Sequence, residues 1–151
     1  DVLHFYAAAA QQKSIPLKVE RLDAGDIWAD PVRLRQIIEN LVSNAIKYSP
    51  PGSQVKLSAA LEGEYWRISV VDHGPGIAPG ERARLFQPFA RLSALPTGGE
   101  KSTGLGLAIT HTYVQAHGGQ IGVESEPGRG STFWFTVPLP AEAGRIEERN
   151  P

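Results

Sequence analysis

Residues 30–52 constrain this chain more than any other stretch. Asp30-Pro31 pairs a side chain that caps helix N-termini with a ring whose fixed φ suits a first helical turn. Leu34, Ile37, Ile38, Leu41, Val42, Ala45 and Ile46 then recur at helical spacing, the stripe of a helix that buries one face. Ser49-Pro50-Pro51-Gly52 stops it. Such a helix needs an apolar surface to cover, and the segments around it supply strands.

Residues 17–22 alternate and predict a strand. Residues 54–61 and 65–71 predict two more, joined as a hairpin by Glu62-Gly63-Glu64. Residues 120–125 and 132–137 predict a last pair around Pro127-Gly128-Arg129-Gly130. Helices are expected over residues 2–13, a short one over 79–86, and one over 104–117. Residues 88–103 hold few large apolar side chains and include Pro96, Gly98 and Gly99, which predicts a mobile loop. Hairpins with helices between them argue for an α/β (α+β) two-layer sandwich: one mixed, mostly antiparallel sheet with helices on one face. The expected division is a helical segment over 1–14, one domain over 15–139, and a flexible polar tail over 140–151.

Composition removes several classes of function. With a net charge of −1, no global basic field draws nucleic acid or an anionic membrane. The absence of cysteine excludes a disulfide framework and a thiolate metal site. No apolar run approaches the roughly 20 residues of a membrane-spanning helix. The chain starts at Asp1 and has no methionine, so it is expected to be a piece of a longer protein.

Three constellations carry chemistry. Asn40, Asn44 and Lys47 lie at i, i+4, i+7 on the polar face of the long helix. Amide oxygens suit Mg²⁺, which keeps water and takes phosphate oxygens, and a lysine one turn on meets phosphate charge; a solvated polar face has the same spacing. Asp72 ends an apolar strand and is followed by His73-Gly74-Pro75-Gly76. A carboxylate only accepts hydrogen bonds, so it would pair with the exocyclic amine of adenine and repel the guanine carbonyl; an ordinary Asp-Gly turn reads the same way. Gly104 and Gly106 stand where a loop becomes a helix, and bare N–H groups there suit phosphate. Alone, that pair equally marks a hinge.

Together, and in this order, these stretches resemble the GHKL superfamily and, within it, the histidine kinases. Residues 30–49 look like the N box, Asp72-His73-Gly74-Pro75-Gly76-Ile77 like the first glycine box, Phe86-Gln87-Pro88-Phe89-Ala90-Arg91 like the F box, and residues 103–109 like the second glycine box. His117-Gly118-Gly119 and residues 126–133 resemble the closing elements. The likeness spans roughly residues 15–139 and implies a Bergerat ATP-binding fold. By that likeness Asn44 holds Mg²⁺ with Asn40 in support, and Lys47 and Tyr48 lie near the phosphates. Asp72 reads the adenine amine with help from Thr132 through water, and Gly74 and Gly76 shape the pocket. Residues 88–103 form an ATP lid, Arg91 approaches the terminal phosphate, and Gly104 and Gly106 close over the phosphates. Ile77, Phe89, Thr103, Leu105 and Leu107 complete the implied nucleotide contacts. Asn40, Lys47 and Arg91 are the implied catalytic residues. Two positions depart from the usual pattern: His73, expected to face solvent, and Ser102, in place of a frequent glycine.

The superfamily includes ATP-hydrolysing machines, which place a glutamate as general base four residues before the metal asparagine. Here that residue is Asn40, an amide that takes no proton near neutral pH. Glu39 lies about 100° round the helix. The kinase reading follows: ATP and Mg²⁺ as cofactors, the γ-phosphate donated to a histidine on a separate dimerisation and phosphotransfer domain, a response regulator receiver domain downstream, and no nucleic acid. The alternatives are a GHKL ATPase, an anti-sigma-type serine kinase, and a nucleotide-sensing module without kinase activity. The resemblance further implies a cytoplasmic domain of an inner-membrane sensor, monomeric as an isolated piece.

Overall fold

The computed structural model describes residues 2–88 and 106–140. The elements run α1 (Val2–Gln12), β1 (Leu17–Leu22), α2 (Pro31–Tyr48), β2 (Val55–Glu62), β3 (Tyr65–Asp72), α3 (Pro79–Arg82), α4 (Gly106–Ala116), β4 (Ile121–Ser125) and β5 (Ser131–Pro138). They build a five-stranded sheet in the order β1-β2-β3-β5-β4. Only β1–β2 is parallel, with α2 as the crossover; the other three pairings are antiparallel. This is the mixed, mostly antiparallel α/β sandwich expected.

α2 forms where its caps demand. The Asp30 carboxylate accepts from the backbone N–H of Val32 (2.9 Å) and Arg33 (3.2 Å), satisfying two donors that the first turn leaves orphaned. At the other end Lys13 donates its Nζ to the carbonyls of Ile46 (2.7 Å) and Lys47 (3.1 Å), a cation on the negative end of the helix. The apolar stripe is buried as expected: Ile37, Leu41, Val42, Ala45 and Ile46 sit in the core with Val55, Val70, Val114 and Phe135. Each of these valine, leucine, isoleucine and phenylalanine side chains contributes about 1.5–3 kcal/mol by leaving water.

β3 and β5 alternate strictly. Trp66, Ile68, Val70 and Asp72 face the helices from β3, and Ser131, Phe133, Phe135 and Val137 from β5. Their register pairs Asp72 with Ser131 and Val70 with Phe133. β3 therefore runs one residue further than expected and ends on the carboxylate.

One expectation changes. The helix expected over 79–86 is one turn, Pro79–Arg82. The chain continues in tight turns, with Leu85 N–H donating to Arg82 (3.2 Å) and Gln87 N–H to Arg84 (3.0 Å); this three-residue spacing brings Leu85 into the core. The N-terminal helix packs against the sheet and α2: Ala10 and Ile15 belong to the same core, and Lys13 caps α2.

Candidate nucleotide-binding site

One loop and the start of α4 meet the polar face of α2. The first is the turn after β3. Gly74 sits so close to the end of α2 that an added Cβ would stand 2.7 Å from the Tyr48 carbonyl oxygen. Gly76 has φ +76° and its missing Cβ would meet the Glu126 carbonyl oxygen at 2.1 Å, so only glycine fits. The β4–β5 turn clamps this loop from the other side. Gly128 N–H donates to the Pro75 carbonyl (2.8 Å), and Ile77 N–H to Ser125 Oγ (2.8 Å). Ser125 Oγ gives its one proton to the Gly130 carbonyl (2.9 Å), which leaves Ser131 Oγ, 2.8 Å away, as donor to Ser125.

Asp72 is held inside this clamp at 6 % exposure. Gly74 N–H donates to its Oδ1 (2.8 Å) and the Ser131 N–H also donates to the carboxyl. Burial dominates, however, and pushes the Asp72 carboxyl up to about 6, against the opposing pull of the two N–H groups and of nearby His73. A carboxylate kept in low dielectric without a cation is costly to the fold, and such sites are enriched in function.

The second element is the start of α4. Asn40 donates its Nδ2 to the Gly106 carbonyl (3.2 Å) and to Thr110 Oγ1 (3.0 Å), so the start of α4 rests on the middle of α2. Asn40 and Tyr48 mark the two ends of a face about 12 Å long at the helix rise of 1.5 Å per residue. Asn44 and Lys47 lie between them, half-buried. Glu39 lies elsewhere: its Oε1 accepts from Arg35 Nε (2.8 Å) on the exposed side of α2, and burial first, then the Glu39 charge, raises the pKa of the Tyr6 hydroxyl on α1.

The structure thus brings together Asn40, Tyr48, Asp72, Gly74, Gly76 and Gly106, with Ile77 buried beneath the loop and Leu107 half-buried behind it. Phe89, Arg91, Thr103, Gly104 and Leu105 lie outside the described residues, as does the expected lid except Pro88. Thr132 is a correction. It pairs with Val71, and both face away from the helices, on the side of the sheet opposite Asp72. Ser131 faces the helices instead, and its N–H donates to the Asp72 carboxyl. The signal was available: Phe133, Phe135 and Val137 set the inward phase of the strand, and Ser131 shares that phase. His73 is exposed, as expected.

Comparison with known proteins agrees with this geometry. The family model "Histidine kinase-, DNA gyrase B-, and HSP90-like ATPase" matches residues 29–141. The chain is 43 % identical over 159 residues to the sensor protein GacS of Pseudomonas syringae pv. syringae, covering 98 % of this chain and 17 % of that protein. It is 46 % identical over 121 residues to the circadian input-output histidine kinase CikA of Synechococcus elongatus, covering 80 % and 16 %. It therefore spans about a sixth of the length of these two relatives. Among solved structures, full-length ShkA in complex with AMPPNP superposes with a TM-score of 0.78 at 40 % identity, over 91 % of this chain and 28 % of that one. The catalytic domain of the histidine kinase ThkA, in a nucleotide-free form, gives 0.77 at 28 % identity, over 91 % and 88 %. The chain belongs to the family of histidine kinase-, DNA gyrase B- and HSP90-like ATPases.

Proposed function

We propose that this domain binds Mg-ATP and donates the γ-phosphate to a histidine on a separate dimerisation domain, for onward transfer to a response regulator receiver domain. One observation carries the choice of kinase over ATPase. Residue 40 is an amide whose hydrogens are committed to α4, and the neighbouring Glu39 is paired with Arg35 outside the site. No carboxylate on this stretch of α2 is placed to take a proton from water. The deciding experiment supplies labelled ATP with and without a histidine-bearing dimerisation fragment, and steady turnover by the chain alone would favour the ATPase.

In this reading Asp72 accepts from the adenine amine, and Gly74, Gly76 and Ile77 shape the base pocket. Asn44 and Asn40 would hold Mg²⁺ through their amide oxygens. The donor chemistry fits: amide oxygens are hard ligands, Asn44 lies half-buried one turn from Asn40 on the same face, and Mg²⁺ commonly takes most of its ligands from phosphate and water. When bound, the ion neutralises phosphate charge. Lys47 and Tyr48 meet the phosphates, Arg91 approaches the terminal one, and Gly104 and Gly106 present backbone N–H groups. Phe89, Thr103, Leu105 and Leu107 complete the lining. Among the described residues no helix is long and apolar enough to cross a membrane; we place the domain on the cytoplasmic side of an inner-membrane parent.

Ser131 replaces Thr132 as the polar neighbour of Asp72. Ser131→Ala should weaken ADP binding several-fold, since a lost neutral hydrogen bond costs about 0.5–1.5 kcal/mol. Thr132→Ala should leave it unchanged. Calorimetry on the two variants checks this, and the reverse ranking would return the role to Thr132.

A further inference from the structure

Thr110 stands in the apolar stripe of α4, between Leu107 and Val114, and is fully buried. A hydroxyl in that position is a poor choice for packing. Threonine gains little inside a helix, and a buried hydroxyl is costly unless it is bonded. Valine has nearly the same shape without that cost. The hydroxyl therefore needs a purpose, and its partners indicate one.

Three groups form a closed triangle. Thr110 Oγ1 donates to the Gly106 carbonyl (2.8 Å), Asn40 Nδ2 donates to the same carbonyl (3.2 Å), and Asn40 Nδ2 donates to Thr110 Oγ1 (3.0 Å). The carbonyl has no proton, so it fixes the direction of the other bonds. The Thr110 proton must point at it, and the Thr110 lone pairs then face Asn40. Both acceptors demand the amide nitrogen, so the amide oxygen of Asn40 is turned away from that carbonyl and hydroxyl, and it lies 3.9 Å from where a Cβ on Gly106 would stand. Without the hydroxyl, only the carbonyl would hold the amide. The β-branched side chain of Thr110 is stiff in a helix, which keeps its oxygen in place.

We propose that Thr110 is a positioning residue for the metal end of the nucleotide site: it locks the Asn40 carboxamide with its oxygen directed to Mg²⁺ and phosphate. The proposal rests on the reading of Asn40 and Asn44 as the metal side of the site. Outer partners of metal ligands commonly contribute about ten- to hundredfold in metal affinity.

The test measures ADP affinity by calorimetry with Mg²⁺ and with EDTA. Thr110→Val should lose about tenfold of the Mg²⁺-dependent gain while keeping the Mg²⁺-free affinity, and Thr110→Ser should restore the gain. Equal Mg²⁺ gain in Thr110→Val and wild type would overturn the role of Thr110 alone. Loss of Mg²⁺-free affinity in Thr110→Val would reduce Thr110 to general packing and overturn it too. A wild type with no Mg²⁺ gain would bring down the metal reading itself, and the proposal with it. If Thr110→Val does not fold, the wild-type protein still decides: the Asn40 side-chain amide protons should exchange slowly with solvent by NMR. Exchange as fast as at a surface asparagine would overturn the lock.

Discussion

Asp72→Asn should bind ADP at least ten- to hundredfold more weakly than wild type and yet unfold at a higher temperature. The binding loss follows from removing a charged acceptor, worth roughly 1.5–3 kcal/mol per hydrogen bond. The gain follows from burial. The Asp72 carboxyl is pushed from 3.8 up to about 6, so ionising it in the folded chain costs about 3 kcal/mol at 1.36 kcal/mol per pH unit. Asparagine avoids that cost but keeps one acceptor for the two backbone donors, so a net gain of about 1–2 kcal/mol is expected at pH 7–8. The pH dependence has a definite sign. A folded-state value above the unfolded one means the folded chain binds the extra proton, so this group's contribution falls as pH rises between about 4 and 6. The advantage of the variant should therefore be full above pH 6 and fade below it. ADP affinity should show the opposite edge, falling in wild type as pH drops through about 6. The same titration on Asp72→Asn cancels any part owed to the nucleotide's own phosphates. Equal affinity in both proteins would remove Asp72 from the site. A less stable variant at pH 8 would mean that the two backbone donors outweigh the burial.

This trade of stability for binding shows which parts of the chain were legible from sequence. Elements that satisfy themselves locally were readable. Asp30, Pro31 and the stripe from Leu34 to Ile46 predicted α2, alternation predicted β1, and the turns around Gly63 and Gly128 predicted the other strands. Asp72 was readable because an acid ending an apolar run conflicts with burial, and such conflicts mark sites. Features that depend on two distant segments were hidden. The bond from Asn40 to Gly106 and Thr110 spans 66 and 70 residues, and no periodicity reports it. The same holds for Ser125, which joins the glycine loop to the β4–β5 turn. Thr132 was named for a different reason: the resemblance supplied it, with no reference to the phase of its strand, and successive strand residues face opposite sides of the sheet. The large side chains at 133, 135 and 137 were the better guide to phase than the turn before them.

Given labelled ATP and no partner, the chain should neither retain phosphate nor turn over ATP at a useful rate; given a histidine-bearing dimerisation fragment, it should transfer phosphate to that fragment. Transfer requires an acceptor nearly in line with the leaving oxygen, and none of the four histidines meets this. His117 has both ring nitrogens engaged, accepting from Asp30 N–H (3.0 Å) and bonded to the Tyr113 carbonyl (2.8 Å) as α4 closes onto the cap of α2. His111 stacks on Phe86 at 5.6 Å between ring centroids. His73 is exposed beside the base end of the site, and His4 is exposed on α1. Water fares no better, because Asn40 takes no proton and Glu39 is held by Arg35. The contrast expected between the two mixtures is large, since a positioned acceptor gains the advantage of an intramolecular reaction, which can reach about 10⁵ M in effective concentration. The product should be labile to acid and stable to alkali, as a phosphoramidate is. Asn44→Ala in the chain should abolish transfer while the fragment remains intact. Label on serine of the partner would point to a serine kinase, and steady turnover by the chain alone would point to an ATPase whose base is a residue other than 39 or 40.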